Sequence, residues 1–195
     1  MGRVIVATAV SVDGYAEGAG GDISVMPLDE SFNEHNAEQI AGAAQVLYGA
    51  TTYRQMVSYW PQVPDNPDAS AAERRIAARM AEGLPITVVS DSITADDTGP
   101  WRAQTTIIRR DEAHRAVSQL READGDTVIF GSRTVWSDLL AHGLVDELHL
   151  MVGPKIVAGS TQVFDGVPTT GLHLMGVTQF DGSPAVVLRY RVEHD

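Results

Sequence analysis

The sequence contains no cysteine among its 195 residues. Disulfide bonds, thiolate metal sites and cysteine nucleophiles are therefore excluded, and a cytoplasmic location is expected. No apolar run approaches the roughly 20 residues of a membrane-spanning helix, so we expect no membrane partner. The H-E-x-x-H, G-x-S-x-G and G-x-x-x-x-G-K-[ST] motifs of other enzyme classes are also missing. The six histidines are scattered along the chain, and no metal site is predicted.

Basic residues are in the minority, with 14 Lys and Arg against 26 Asp and Glu, a net charge of −12. Because no basic stripe is available to neutralise phosphates, nucleic acid is not an expected partner. A small anionic ligand is still compatible with this composition, since a few local donors can outweigh the overall field.

The sequence does contain a regular alternation of apolar and amphipathic segments. Short apolar stretches predict strands at 3–12, 44–49, 85–90, 105–109, 126–131, 145–154, 172–180 and 185–193, the last two as a hairpin around Asp181-Gly182. Helical spacing predicts helices at 28–40, 51–60, 71–82, 111–120 and 134–142. Polar residues at their starts are the cap candidates: Asp29 or Ser31, Thr51 or Thr52, and Asp111.

This alternation indicates an α/β fold with three layers. We expect a mostly parallel central sheet, helices on both of its faces and an antiparallel hairpin at the C-terminal edge. Hydrophobic residues make up 44% of the chain, and no repeat or linker interrupts it. Residues 1–195 are therefore expected to form a single domain.

Two strand-to-helix corners carry a pattern that suits an anion. They are YGATT (48–52) and FGSRT (130–134), each with a glycine where the strand ends and hydroxyl side chains where the helix starts. Parallel sheets bind ligands beyond the carboxyl ends of their strands, and a helix start presents free amides to phosphate. The same residues are also normal at a helix entry, so each corner alone is ambiguous.

Two other motifs have structural interpretations. The glycine-rich GAGGD (18–22) opens no helix, so it predicts a mobile loop rather than a dinucleotide fingerprint. DELHL (146–150) places acids near His149, but strand alternation is expected to put these groups on different faces. A role at a strand edge is favoured there over a metal site.

The order of several motifs resembles the dihydrofolate-reductase-like family that includes the reductase domain of riboflavin biosynthesis. ATAVSVDGY (7–15) is similar to its first strand, and the likeness continues through residues 28–61, which include GATTYRQMVSYW, and through ITVVSDSI (86–93). It ends with residues 128–166, which include VIFGSRTVW and GLVDELHLMVGP, so it covers almost the whole chain.

The resemblance implies an NAD(P)H-dependent oxidoreductase that transfers a hydride to a small heterocyclic, carbonyl or imine substrate. By the same resemblance the backbone of Ala9 holds the nicotinamide carboxamide. The implied pyrophosphate corners are Gly49, Ala50, Thr51 and Thr52, and Gly131, Ser132, Arg133 and Thr134. The implied adenosine end is Ser90, Asp91 and either Arg109 or Arg110. A homodimer is also implied, and the apolar 145–154 segment is interpreted as its edge strand.

The sequence departs from the family pattern in ways that bear on specificity. Many relatives have Gly-Arg at Gly49-Ala50 and a basic residue at Asp91, and both would serve the 2′-phosphate of NADP. We expect NADPH by family, with NADH as the alternative. The riboflavin enzyme carries a substrate-contacting glutamate at Phe130 and an aspartate at Met56. Reduction of the riboflavin precursor is therefore not a secure inference from the resemblance.

Asp13 and Glu34 are the candidate proton donors, with water as a third. Asp13 ends the first strand beside the expected nicotinamide, and Glu34 lies on the helix lining the cleft. Each has an ordinary alternative, a turn-forming Asp-Gly for Asp13 and a solvated helix position for Glu34. The competing hypothesis for the whole chain is a non-catalytic module that binds a dinucleotide or flavin.

Overall fold

The computed structural model describes residues 1–26 and 29–194. Leu28, the first residue of the predicted helix 28–40, lies outside these ranges. Within them the strands are β1 (Val4–Ser11), β2 (Tyr15–Glu17), β3 (Ala43–Gly49), β4 (Ile86–Val89), β5 (Thr105–Ile108), β6 (Asp126–Phe130), β7 (Glu147–Gly153), β8 (Thr161–Gln162), β9 (Leu172–Gln179) and β10 (Val186–Val192). The α-helices are α1 (Glu30–Gly42), α2 (Ala50–Tyr59), α3 (Ala71–Ala81), α4 (Ala113–Glu122) and α5 (Arg133–Ala141).

Eight strands form one mixed sheet in the order β5-β4-β3-β6-β1-β7-β10-β9. The strands from β5 to β7 run parallel, and β10 and β9 add an antiparallel pair at one edge. The predicted C-terminal hairpin is therefore confirmed. Among the described helices, none is long and apolar enough to cross a bilayer.

A separate apolar core covers each face of the sheet. On one face Ile40 of α1, Tyr53 of α2 and Ile76 of α3 pack on Val46 and Val128. On the other, Val117 of α4 and Trp136 and Leu139 of α5 pack on Leu47 and Ile129. Because alternate residues of each buried strand point to opposite faces, both faces need a helical layer. The three-layer α/β architecture expected from the sequence is confirmed.

The helix starts match the sequence in part. The Asp29 carboxylate accepts hydrogen bonds from the amides of Ser31 and Phe32, so it is the N-cap of α1. The predicted Asp111 cap is wrong, because a 3-10 turn over Arg110–Glu112 precedes α4 and Glu112 is its N-cap without a side-chain bond. A helix entered from a 3-10 turn has its first amides engaged by that turn.

The segment 18–22, predicted to be a mobile loop, contains a 3-10 turn at Ala19–Gly21 and opens no α-helix. Short strands β2 and β8 pair antiparallel beside this segment, and the Asp22 carboxylate accepts from the amide of Ser24. The backbones of the segments at Glu17 and Gly159 approach so closely that a Cβ on Gly159 would lie 1.9 Å from the Glu17 carbonyl oxygen. Glycine is therefore required there for close packing of two backbones.

The interpretation of 145–154 as an edge strand is wrong as well. β7 is an interior strand between β1 and β10, and the edges of this sheet are β5 and β9. DELHL was expected to place its polar groups on different faces of the strand, and this is wrong for Glu147 and His149. They are two residues apart in β7, so their side chains point to the same face. Their Oε2 and Nε2 atoms are 3.1 Å apart. The apolar residues that β7 presents on both of its faces are explained by its interior position in the sheet.

Candidate functional site

The strand order creates a crevice at the carboxyl end of β6. The helices that follow β1 and β3 cover one face of the sheet, whereas α5, which follows β6, covers the other. Connections that leave adjacent strands in opposite directions open a crevice between them, and this is where open α/β sheets bind ligands. Both predicted corners border this crevice, because β3 and β6 are neighbours.

The backbone of β1 is open on the crevice side. Its last register partner on β6 is Phe130, opposite Ala7, but β1 continues to Ser11 alongside β7. Ala9 is paired in register only with Met151 of β7. Among the strands that the structure describes, none pairs with the β1 residues beyond Ala7 on the β6 side, where the resemblance places the role of Ala9.

The two corners contact each other directly. The Gly49 amide donates to Ser132 Oγ at 2.9 Å, and the Ser132 amide donates to Thr52 Oγ1 at 3.0 Å. The residues bonded in this way are 83 and 80 positions apart in the chain. The two corners are thus adjacent, and the Gly49 and Ser132 amides are occupied by hydroxyls of the protein. Thr52 accepts a hydrogen bond from the other corner and caps no helix.

The helix starts at the corners lack capping side chains. Neither Gly49, the N-cap of α2, nor Ser132, the N-cap of α5, makes a side-chain cap bond. In contrast, α1 and α3 are capped by Asp29 and by the Ser70 hydroxyl. The first amides of a helix have no acceptor one turn before them, although in α5 the Val135 amide donates to the Ser132 carbonyl at 2.9 Å. Two positive dipole ends therefore meet at the crevice.

Gly131 and Ser132 have left-handed backbone conformations, with φ of 54° and 53°. Glycine adopts this region freely, whereas a serine is strained in it, and such strain concentrates at functional sites. A Cβ on Gly131 would lie 3.2 Å from Thr52 Oγ1, so a side chain there would press on the other corner.

The remaining corner residues have different surroundings. The Arg133 guanidinium donates through Nη1 to the Asp165 carbonyl at 3.2 Å, which directs it toward the segment after β8. Thr51 and Thr134 are exposed at the helix starts, and Ala50 packs partly buried on the core beneath α2. Exposed hydroxyls and one arginine therefore surround the two dipole ends.

The predicted adenosine end lies on the same edge of the sheet. Ser90 follows β4, the neighbour of β3, and its Oγ accepts from the Ser92 and Ile93 amides at 3.0 Å each. Asp91 lies 3.6 Å from Arg109 Nη2 and 4.0 Å from Arg110 Nε. Ser90 therefore builds the turn, while Asp91 competes with any ligand phosphate for both arginines.

The two positions at which the riboflavin enzyme has carboxylates hold apolar side chains in the core. Phe130 is only 8% exposed and belongs to the core under α1 and α2. Met56 is partly buried in the same core, and its Sδ accepts from Trp60 Nε1 at 3.0 Å. Neither position supplies the carboxylate that the riboflavin enzyme has there.

Asp13 fastens one loop to another. Its carboxylate accepts from the Val157 amide at 3.1 Å and from the Ala158 amide at 2.9 Å. The Ser11 hydroxyl and these amides lower the pKa of Asp13 to about 2. A carboxyl that is ionised throughout the neutral range holds its loop well but has no proton to donate.

Glu34 lies at the start of α1 and forms an ion pair with Arg75 of α3. It also lines a cleft of about 380 Å³ between α1 and the β9–β10 turn, together with Asp29, Glu30 and Ser183. A larger cleft of about 640 Å³ is remote from the corners, at the amino edge of the sheet, where Arg121 and Glu193 line it. Glu34 is thus close to a cleft at the carboxyl edge but already has a cationic partner.

A series of polar side chains in contact with one another under α1 was not predicted from the sequence. Arg3 Nη1 lies 2.5 Å from Glu147 Oε1, His149 Nε2 contacts Glu147, and His149 Nδ1 lies 3.3 Å from His35 Nε2. The His149 hydrogen bond and the Arg3 charge lower the pKa of Glu147, while burial lowers that of His35 to about 4. The i, i+2 spacing of Glu147 and His149 was the available signal.

Comparisons with known proteins agree with this architecture. A protein assigned to riboflavin biosynthesis in Shewanella sp. PV-4 superposes with a TM-score of 0.66 at 15% identity, covering 98% of this chain and 99% of the other. A pyrimidine reductase-like protein from Corynebacterium diphtheriae gives 0.61 at 18%, covering 100% and 93%. Dihydrofolate reductase from Enterococcus faecalis, in complex with NADP(H), gives 0.55 at 12%, covering 98% and 97%. No curated protein matches the sequence.

The sheet order and these superpositions define a dihydrofolate-reductase-like α/β protein. At the sequence level, residues 3–186 match the profile of the RibD C-terminal domain. The chain belongs to the RibD C-terminal domain family. The family resemblance drawn from the motifs is therefore confirmed.

Proposed function

We propose that the chain is an NAD(P)H-dependent reductase of the riboflavin-pathway kind, acting on a small planar heterocycle of the pteridine or pyrimidine type. The observation that carries the proposal is the pairing of the two corners at the end of β6, where α2 and α5 start without capping side chains. Membership of the RibD C-terminal domain family supports the reaction class.

The residues at the corners fit a dinucleotide pyrophosphate. Free first-turn amides of α2 and α5 would bind its oxygens, and Gly131 keeps the approach free of a side chain. Arg133 adds a positive charge beside the same helix start. The nicotinamide would supply the hydride, and its carboxamide would bind the open backbone of Ala9.

The adenosine end is assigned to Ser90, Asp91 and Arg109. Their position beyond β4 and β5 continues the line from the β6 crevice across β3. The exposed Arg109 and Arg110 favour NADPH, in agreement with the family. Asp91 opposes a 2′-phosphate because it already engages both arginines, so NADH is kept as the alternative.

The substrate is expected above Phe130, between α1 and the crevice. The aromatic ring of Phe130 is almost fully buried and suits a planar substrate ring. It offers no carboxylate to hydrogen-bond a sugar hydroxyl or a protonated ring nitrogen. Asp13 is ionised and holds its loop, so water or Glu34 is left as the proton source in this proposal.

The test is a titration of NADPH and of NADH against the fluorescence of the three tryptophans, for the parent chain and for Arg133→Glu. Charge reversal is expected to raise the Kd by roughly ten- to hundredfold, since a charge-assisted hydrogen bond contributes about 1.5–3 kcal/mol. Arg115→Glu, an exposed arginine on α4 paired with Glu112, is the matched control. Equal Kd values for parent and Arg133→Glu would remove Arg133 from the site.

A non-catalytic dinucleotide- or flavin-binding module is the second candidate. It is favoured by an Asp13 that cannot donate a proton. Oxidation of NADPH with pteridine, pyrimidine, carbonyl and imine acceptors separates the two. Tight binding without turnover on any acceptor would support the module.

We also propose a homodimer formed through β9. This edge strand exposes 37% of Leu172, 50% of Leu174 and 58% of Val177, beside the partly buried Leu188 and Tyr190 of β10. Apolar side chains in a row on a sheet edge are typical of a protein–protein interface. The absence of cysteine keeps a cytoplasmic location as part of the proposal.

A further inference from the structure

Three metal-ligating side chains meet on the surface between α4 and α5, away from the β6 crevice. They are His114, in the first turn of α4, and Asp138 and His142, at the end of α5. One ligand atom from each residue lies within 4.8 Å of the other two. No other such group of histidine and carboxylate side chains occurs in the part of the chain that the structure describes.

The local geometry holds these groups together. Asp138 and His142 are four residues apart, and Asp138 Oδ1 lies 3.4 Å from His142 Nδ1. Asp138 Oδ2 lies 2.6 Å from His114 Nε2 across the two helices. The two imidazole rings lie with their centroids 3.9 Å apart and their planes inclined by 33°. The Asp138 carboxylate thus contacts one nitrogen of each of two imidazoles that nearly stack.

We propose that His114, Asp138 and His142 bind one divalent transition-metal ion, Zn²⁺ or a cation of similar preference. Two imidazoles and one carboxylate suit Zn²⁺, Ni²⁺, Co²⁺ and Cu²⁺ better than the oxygen-seeking Mg²⁺ or Ca²⁺. Two ligands on a tetrahedral zinc, bound at about 2.1 Å, are about 3.4 Å apart. Rotation of the side chains would be needed to bring the donor atoms to that spacing, and the half-exposed positions of the three residues permit it.

The tautomer of His142 suits this role. Its Nδ1 lies 2.8 Å from the Asp138 main-chain carbonyl and donates to it, which leaves Nε2 with a free lone pair. A ligating histidine commonly donates its other N–H to a carbonyl in this way, and the bond fixes the ring. Three protein ligands leave further coordination positions to water, and the ion would connect α4 to α5.

The experiment is a calorimetric titration of the full-length protein, free of any histidine tag, with ZnCl₂ at pH 7.5. One ion per chain is expected, and thermal unfolding should shift to higher temperature because the ion binds only the folded pair of helices.

The variants His114→Ala, Asp138→Asn and His142→Ala are each expected to lower the affinity at least about tenfold and to abolish the thermal shift. His194→Ala, which removes a histidine of comparable exposure near Asp146, should bind like the parent. The visible absorption of bound Co²⁺ reports nitrogen and oxygen ligation and should disappear with either histidine of the cluster. The proposal is overturned if neither Zn²⁺ nor Co²⁺ binds, or if all three variants bind like the parent.

Discussion

Nε2 of His35 on α1 lies 3.3 Å from Nδ1 of His149 on β7, in a buried contact between helix and sheet. Glu147 accepts the Nε2–H of His149, so with both rings neutral His149 Nδ1 accepts from His35. The contact joins the start of α1, beside the candidate crevice, to the centre of the sheet, where burial disfavours a positive charge on His35.

The first prediction concerns acid stability. Burial, with the nearby His149 and Arg189, lowers the pKa of His35 to about 4, against an unperturbed value of 6.5. The unfolded state therefore binds the extra proton between these values, and the free energy of unfolding should fall as the pH drops from about 6.5 to 4, by up to roughly 3 kcal/mol. His35→Gln should lose this part of the dependence.

Urea unfolding at pH 7 and pH 4.5 measures the effect. His194→Gln, at a partly exposed position, is the control. This variant should show the same pH dependence of unfolding as the parent. A parent and a His35→Gln variant with identical pH dependence would show that the buried contact tolerates a charge.

The second prediction concerns the bond between the corners. Ser132→Ala removes the acceptor of the buried Gly49 amide and should lower the free energy of unfolding by about 1–3 kcal/mol. Ser132→Gly loses the same bond but relieves the left-handed conformation at φ 53°, so it should be more stable than Ser132→Ala by about 1 kcal/mol. Denaturant unfolding of the three proteins checks the order. An alanine variant as stable as the parent would mean that this bond contributes nothing.

The third prediction concerns Gly131. In Gly131→Val the added side chain would begin 3.2 Å from Thr52 Oγ1 and crowd both corners, so dinucleotide binding should be lost. Positive φ makes the variant less stable as well, by about 1–2 kcal/mol. Gly83→Val shares the positive φ at a position with open space, which makes it a control for strain alone. Fluorescence titration of the two folded variants with NADPH should find the parent's affinity in Gly83→Val and a loss of binding in Gly131→Val.

The fourth prediction concerns the choice of dinucleotide. Asp91→Asn frees Arg109 and Arg110 from a competing carboxylate and removes a charge that repels a 2′-phosphate. The Kd for NADPH should fall relative to that for NADH by up to roughly fivefold, as expected of an exposed ion pair of about 1 kcal/mol. Asp68→Asn, in the loop before α3, should leave the ratio unchanged. An unchanged ratio in Asp91→Asn would place the adenosine end elsewhere.

The fifth prediction concerns the β9 surface. Val177→Lys and Leu174→Asp place a charge in the proposed interface and should convert a dimer into a folded monomer. Sedimentation velocity gives the mass, and circular dichroism shows that the fold is kept. Ile23→Lys, an exposed apolar residue on a different surface, is the control. A monomeric parent, or dimeric variants, would contradict the interface.

Much of the architecture follows from local patterns. Apolar runs and helical spacing predicted every strand of the large sheet and all five α-helices, because burial on one or two faces leaves a period in the sequence itself. The glycine and hydroxyl residues of YGATT and FGSRT likewise marked both corners, since turn chemistry is short-range. The family motifs indicated the same fold, and the matching profile confirmed the family.

Only the tertiary structure decided which distant groups meet. The order of the strands put β7 in the interior and β9 at the edge, and no local pattern encodes that order. It also brought Ser132 to Gly49, His35 to His149, and His114 to Asp138. The sequence determined what each segment can form, because secondary structure depends on neighbours along the chain. The contacts that make a site depend on packing between segments separated by many residues, and these exist only once the sheet is assembled.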